Sequence, residues 1–222
     1  MQEVMIPVRM FFSKTGRAKY ISHLDTMRTF TRAFRRTSLP LWYTQGFNPH
    51  LYMTFPLPLA LGVESLREVV DFRLVEEMDF QQVAEEMAAV LPPGFEVVEV
   101  NPPVMPASAI AWAEYEIRLA YPEEEREAML FALKGLFAKP SIEVIKKSKK
   151  GEVLTDIRPH TTLLDCKVDE NGLWMWVGLA AGSTLNISPF LLLKAFEEDT
   201  RPADSVKILR TAILDSHRKP FV

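Results

Sequence analysis

The sequence predicts an α+β protein with antiparallel sheets, on three observations. An order of strand, helix, two or three strands, helix, strand occurs twice along the 222 residues. A stretch with three prolines in eight residues, Asn101 to Ser108, separates the two passes; proline cannot donate to a ladder and disfavours helix in the residue before it. Asn171-Gly172, set between apolar runs, is a strong signal for a tight hairpin.

In the first pass a strand is expected from Met5 to Ser13 and a helix from His23 to Thr37, with Ser22 as N-cap and Asp25 completing a capping-box-like start. Extended segments follow at Leu41 to Gln45, Leu51 to Phe55 and Arg67 to Val75. Asp79 then caps a second helix, Phe80 to Leu91, which the Pro92-Pro93-Gly94 breaker ends before a strand at Phe95 to Val100. The second pass opens with the alternating Trp112 to Ala120. A helix from Glu123 to Phe137 follows, its three leading glutamates placed where the positive end of the helix dipole favours acids. Ser141 to Lys147 is extended, Thr161 to Val168 and Leu173 to Ala180 flank the hairpin turn, Ser188-Pro189 opens a helix reaching Glu198, and Val206 to Leu214 closes the order. These repeats predict two tandem ferredoxin-like βαββαβ units, residues 1–103 and 104–222, each a helix pair on one face of an antiparallel sheet.

Hydrophobic residues at 48% and charged ones at 25% describe a soluble globule. No apolar stretch reaches the roughly 18 to 20 residues of a membrane span, and the N-terminus lacks a secretory pattern, so a cytoplasmic protein with no membrane partner is expected. The single cysteine, Cys166, excludes an internal disulfide or a cysteine-based cluster and reads as a buried strand thiol. His23, His50, His160 and His217 lack the spacing of a helical metal pair, so neither metal nor cofactor is expected. Trp174 and Trp176 read as packing residues.

Charge is distributed unevenly. Residues 1–50 carry a net +6 and residues 51–100 a net −8, which the total of −3 conceals. A local patch of this kind marks an anion site. On the first helix Arg28, Arg32, Arg35 and Arg36 share an arc of roughly 100°, with Leu24, Met27, Phe30 and Phe34 on the core side. Guanidinium suits phosphate because its planar fork gives two parallel hydrogen bonds and stays charged. Lys14, Arg17 and Lys19 lie in the glycine-containing turn that leads into the helix, and Gly16 allows a close backbone approach to a ligand. Neither phosphate-loop pattern, G-x-x-x-x-G-K-[ST] or G-x-G-x-x-G, is present. Tyr20 and the turn Gly46-Phe47-Asn48-Pro49-His50 place aromatic and polar groups beside these cations, the usual means of stacking single-stranded bases. His23, at a helix start that favours its neutral form, is a candidate general acid or base. Lys146, Lys147, Lys149 and Lys150 form a solubilising hairpin tip or an extension of a phosphate track.

The strings Phe12-Ser13-Lys14-x-Gly16, Tyr20-Ile21-Ser22-His23-Leu24-Asp25, Arg32-Ala33-x-Arg35-Arg36, Gly46-Phe47-Asn48-Pro49-His50 and Pro58-Leu59-x-Leu61-Gly62-Val63 resemble the bacterial radical SAM-linked protein family. Asp156-Ile157-Arg158-Pro159 is similar to that family's second-half signature, which adds Arg158 to the candidate contacts. The resemblance implies a partner enzyme and an RNA-related setting. The chain lacks the C-x-x-x-C-x-x-C motif that would hold an iron–sulfur cluster, so it would be the accessory half, with the cluster on the partner. The family pattern has a serine before the Gly46-Phe47 turn; here Thr44 and Gln45 stand there.

The leading expectation is therefore a module that binds RNA, tRNA or rRNA, and acts with a radical SAM enzyme. Lys14, Arg17, Lys19, Arg28, Arg32, Arg35 and Arg36 would meet phosphates, and Tyr20, Phe47, Asn48 and His50 would meet bases. One alternative is a metal-independent RNA-cleaving enzyme with His23 as general acid or base, by analogy with the repeat-associated endonucleases of CRISPR systems. Another is a docking module whose basic ridge meets an acidic protein.

Overall fold

The computed structural model describes residues 5–148 and 151–222. The chain divides into two units, Met1–Ile110 with Pro220–Val222, and Ala111–Lys219. Both are α+β, with four α-helices among the described residues and antiparallel strand pairs throughout.

In the first unit β1 (Ile6–Lys14) lies between β4 (Phe95–Asn101) and β3 (Glu64–Leu74), and the short β2 (Met53–Thr54) pairs with β3. The order is fourth, first, third, second. Side chains alternate across the sheet, so Val8, Met10 and Phe12 of β1 and Val70, Phe72 and Leu74 of β3 enter one core with Phe30, Phe34, Val83 and Met87 of the helices. Aromatic rings fill its centre: Phe12 lies 4.6 Å from Phe30, and Phe34 lies 4.7 Å from Phe72. The helices are α1 (His23–Phe34) and α2 (Phe80–Val90).

Ser22 caps α1 by accepting from the Asp25 amide, as read from sequence, while the Asp25 carboxylate accepts the Ser22 hydroxyl rather than the Ser22 amide that a full capping box would use. The helix ends at Phe34 rather than Thr37. Arg35 is its C-cap, and Thr37 donates its hydroxyl to the Phe34 carbonyl, which closes the last turn. Leu24, expected on the core side, is exposed. The expected strands at Leu41 to Gln45 and Leu51 to Phe55 reduce to isolated bridges, Leu41 with Leu74 and Tyr43 with Leu51, plus β2.

On the opposite face of this sheet Arg9 is 1% exposed. It makes two parallel bonds to Asp71, both 2.8 Å, and donates to the Met105 and Val222 carbonyls at 2.9 Å while stacking on Phe221. A proline-rich segment with no ladder of its own is thus pinned to the sheet by one guanidinium.

The second unit repeats the plan. Its sheet order is β10 (Ser205–Leu214), β5 (Trp112–Ala120), β9 (Gly172–Ala180), β8 (Thr161–Asp169), covered by α3 (Glu123–Ala138) and α4 (Pro189–Glu198). An added hairpin, β6 (Glu143–Ser148) and β7 (Gly151–Asp156), is inserted after α3. Asp156 clamps its base by accepting the Ile142 and Arg158 amides, which hold its carboxyl below the usual range. Leu173, Met175, Val177 and Leu179 are buried, whereas Trp174 is half-buried and Trp176 is 37% exposed. The two tryptophans therefore line the outer face instead of packing in a core. Cys166 is half-buried on β8, and burial pushes its thiol upward, away from nucleophilic use.

Candidate functional site

The turn entering α1 is held from three sides. Residues Gly16–Tyr20 form a 3₁₀ turn. Thr15 donates its amide to the Gly94 carbonyl at 2.9 Å. A Cβ on Gly94 would meet Ala18 Cβ and the Thr15 carbonyl oxygen at 2.8 Å, at a φ of +91°, so only glycine allows this approach. The Gly16 amide donates to Glu64 at 2.7 Å, and Lys19 lies 3.7 Å from the same carboxylate. The Thr15 and Gly16 amides of this turn are therefore used within the protein, while Gly16, at a φ of +59°, is exposed with open space where a Cβ would stand.

Lys14 corrects the expectation of a surface cation. The strand extends through it, and because Phe12 and Lys14 share a face, its side chain enters the unit beneath the start of α1. It is 2% exposed and donates to the Ile21 carbonyl at 2.7 Å. Lys14, His23 and Glu68 line a cavity of about 10 Å³ with Phe12, Thr26, Phe55, Pro58 and Leu59. This volume is about one water's worth. Segments far apart in sequence, Phe12 to Lys14, His23 to Thr26, Phe55 to Leu59 and Glu68, thus converge on one small polar cavity. His23 lies edge-on to Phe55 at 5.6 Å. Burial first, and then the Lys14 ammonium, hold its imidazole below the ordinary range, with Glu68 pulling the other way. A neutral imidazole is the result.

Outside this cluster stands the cationic ridge. Arg28, Arg32 and Arg35 are exposed at spacings of four and three residues, one face of α1. Arg28 pairs with the exposed Asp25 at 3.0 Å, and Asp25 is held below the usual carboxylate range by the Ser22 hydroxyl first and by Arg28. Arg17, Arg32 and Arg35 make neither an ion pair nor a side-chain hydrogen bond among the described residues, although the Asp25 carboxylate is lowered by the charge of Arg32 as well as of Arg28. Arg36 leaves the ridge: it lies past the helix end and donates to the Val90 carbonyl at the C-terminus of α2, where a cation complements the helix dipole. Tyr20, 70% exposed, sits beside Lys19 at the ridge's start.

The Gly46-Phe47-Asn48-Pro49-His50 turn is closed by Thr44. Its hydroxyl meets His50 Nδ1 at 2.9 Å and accepts the His50 amide, and its own amide donates to the His50 carbonyl. The Thr44 hydroxyl is therefore in use within the turn. His50 Nδ1 also lies 3.2 Å from the Asn48 carbonyl. Phe47 at the tip is fully exposed, and Asn48 and His50 are exposed too.

Tyr20 and Phe47 do not share a spot. Lys14 pairs with Ser65 and Ile6 with Leu74, while the Trp42 amide bonds the Arg73 carbonyl, so the entering turn and the 46–50 turn flank opposite ends of β3. The β3 positions they adjoin, Ser65 and Arg73, are about 26 Å apart at roughly 3.3 Å per residue. Helix α1, at 12 residues about 18 Å long, starts at His23 beside Phe55 and finishes at Phe34 against Phe72. Tyr20 stands in the turn that enters the ridge, and the Phe47 turn lies toward the end of β3 at which α1 finishes.

Arg158 belongs to the second unit and is half-buried. Its Nη1 donates to the Thr161 carbonyl at 3.4 Å, its guanidinium lies 5.9 Å from the Phe137 ring centre, and Nε is buried without a partner. It supports the hairpin base rather than presenting a surface cation. Lys146 reaches the Asn186 carbonyl; Lys149 and Lys150 lie outside the described residues.

Sequence reasoning missed Glu64 and Glu68, whose roles depend on register across β3, and a cluster of Trp42, Tyr52 and Arg73. The Arg73 guanidinium lies 4.2 Å from the Tyr52 ring centre and 5.4 Å from that of Trp42. Two aromatics flanking the 44–50 turn were the available signal; the arginine between them was not.

A family model described as an uncharacterized protein conserved in bacteria, DUF2344, matches residues 8–189, which include the polar cluster, the ridge, both turns and Asp156 to Pro159. The chain belongs to this family. Among curated proteins none matches this family member. Its fold is similar to that of a Cbf5-Nop10-Gar1 complex, at 12% identity over 92% of this chain and 48% of that chain, with a TM-score of 0.46. It is also similar to an unknown protein from Galdieria sulphuraria, at 13% identity, 92% and 96% coverage and a TM-score of 0.29. A third likeness is to the CRISPR endoribonuclease Cse3 bound to a 19-nucleotide RNA, at 10% identity, 91% and 98% coverage and a TM-score of 0.21. This chain spans about half the length of the first. Likenesses this weak carry no argument about function. No helix among the described residues is long and apolar enough to cross a membrane.

Proposed function

We propose that the first unit binds single-stranded RNA and presents it to a radical SAM enzyme in the cytoplasm, which carries the iron–sulfur cluster. The observation that carries this reading is the exposed row Arg28, Arg32 and Arg35 on α1, preceded by the exposed Arg17 and Tyr20 in the turn that enters the helix and accompanied in the same unit by the exposed Phe47 turn. Three of these four arginines have no internal acceptor among the described residues. Holding like charges together without a counter-ion costs a few tenths of a kcal/mol per pair. A polyphosphate strand removes that cost and gives the aromatics bases to stack on. We read each unit as ferredoxin-like, a reading supported by the shared fourth-first-third-second strand order and by a helix pair in each. The radical SAM partner and the tRNA or rRNA setting rest on the family resemblance of the sequence motifs.

The ridge favours binding over cleavage. His23 faces a cavity about one water in size, too small for a scissile phosphodiester. Docking of an acidic protein on the ridge is the competing outcome of the same test. Filter binding of a single-stranded RNA at several salt concentrations should show three to four phosphates neutralised, a slope of log K against log salt of about −2 to −3. An acidic protein bound in preference to RNA, or RNA bound weakly with no salt response, overturns the proposal.

A further inference from the structure

We infer that the sheet face opposite the helices of the first unit holds one unstacked nucleotide, in the cleft between Tyr52, Thr54 and Arg73 and the proline-rich segment 103–107. This rests on the RNA-binding reading and names the part of the strand recognised away from the ridge. The cleft, about 470 Å³, is the size of a small-ligand site. Met53 faces the core, so its neighbours Tyr52 and Thr54 face this side.

The chemistry of the lining selects the ligand. Asp71 is already neutralised by the two bonds from Arg9, so it does not repel an anion. Arg73 has no carboxylate partner among the described residues; its one hydrogen bond is to the Met5 sulfur. Its guanidinium is oriented by the Tyr52 ring, a preorganised fork for a phosphate. The hydroxyls of Tyr52 and Thr54 have no partner among the described residues. Pro103 and Pro106 supply an apolar wall, and Arg9 fixes that wall through the Met105 carbonyl. One fixed cation, two spare hydroxyls and flat apolar sides fit a phosphate attached to a sugar and a base. Bare phosphate would leave the wall unused, and an apolar ligand would strand the hydroxyls.

Titration with AMP, followed by calorimetry and by Trp42-dependent fluorescence, tests this on the full chain. Saturable 1:1 binding is expected, at least tenfold tighter than adenosine or inorganic phosphate. Arg73→Ala should weaken AMP at least tenfold, Arg73→Lys less, and Tyr52→Phe, which keeps the stacking ring, about threefold. Thermal melting of each variant separates a lost contact from a lost fold. A single-stranded hexanucleotide should bind more tightly than AMP, and Arg32→Glu with Arg35→Glu should abolish that excess while leaving AMP unchanged. Equal affinity for AMP and the hexamer would make the ligand a free nucleotide and overturn the strand reading. Hexamer binding that depends on the ridge, with no AMP binding and no effect of Arg73→Ala, would overturn this inference and leave the proposed function standing.

Discussion

The two units share a strand order and differ in what they do with their arginines. In the second unit the guanidinium groups are mostly consumed internally. Arg118 pairs with Asp169, Arg201 with both Glu125 and Asp204, Arg126 donates to the Tyr121 and Asp169 carbonyls, and Arg218 stacks on Trp112 at 3.4 Å. In the first unit Arg9 and Arg36 are consumed in the same manner, but Arg17, Arg32 and Arg35 are left open to solvent. One architecture thus separates structural arginines from those available to a ligand, and the difference lies in partners rather than in local sequence.

The largest effect expected from breaking this contrast is on stability. Arg9→Ala would strand Asp71 and release the 102–107 and 220–222 segments, at a cost of about 3–5 kcal/mol in urea unfolding. Arg201→Ala, which removes a partly exposed pair, should cost far less. A small loss at Arg9 would mean that the clasp is not what holds those segments. Next, Arg32→Glu with Arg35→Glu should weaken RNA by about a hundredfold at low salt without lowering the melting temperature, because both side chains are exposed. The matched control, Arg118→Glu, should leave RNA affinity unchanged. Equal losses at both sites would erase the distinction between the units.

Phe47→Ala follows, with a loss of about 1–3 kcal/mol of binding if one base stacks there, and no change in melting. The smallest effect concerns pH. His23 titrates lower in the folded unit than its ordinary 6.5, so the unfolded chain binds the extra proton first as pH falls. Its contribution to stability is therefore full above about 6.5 and is lost as pH drops through that region toward the folded value. In His23→Gln the stability should depend less on pH between 7 and 5 than in the parent. An unchanged profile would place the acid sensitivity elsewhere.

How legible these features were from sequence depended on the range of the interactions behind them. The start of α1 was readable because Ser22 and Asp25 bond within three residues. Its end was not: the arginines continue the helical period through Arg36, yet Arg36 is drawn off by Val90, fifty-four residues away. Lys14 looked like a surface cation because its composition context is basic; its burial depends on Glu68 and the register of β1 on β3. The hairpin tip was expected from the lysines, whereas β7 was missed because Gly151 to Asp156 is largely exposed and carries no buried alternation. The Phe47 turn was recognisable from Gly46 and Asn48-Pro49, but its placement at the other end of β3 from the turn that holds Tyr20 required the sheet. Arg158 read as a motif residue, and only the packing on Phe137 and the bond to Thr161 give it a supporting role.

The most direct measurement is the salt dependence of single-stranded RNA binding in the parent and in Arg17→Ala, Arg32→Ala and Arg35→Ala, taken singly. A slope near −2 to −3 is expected in the parent, reduced by about 0.7 in each variant. A parent slope near zero, or three variants that all keep the parent slope, would contradict it.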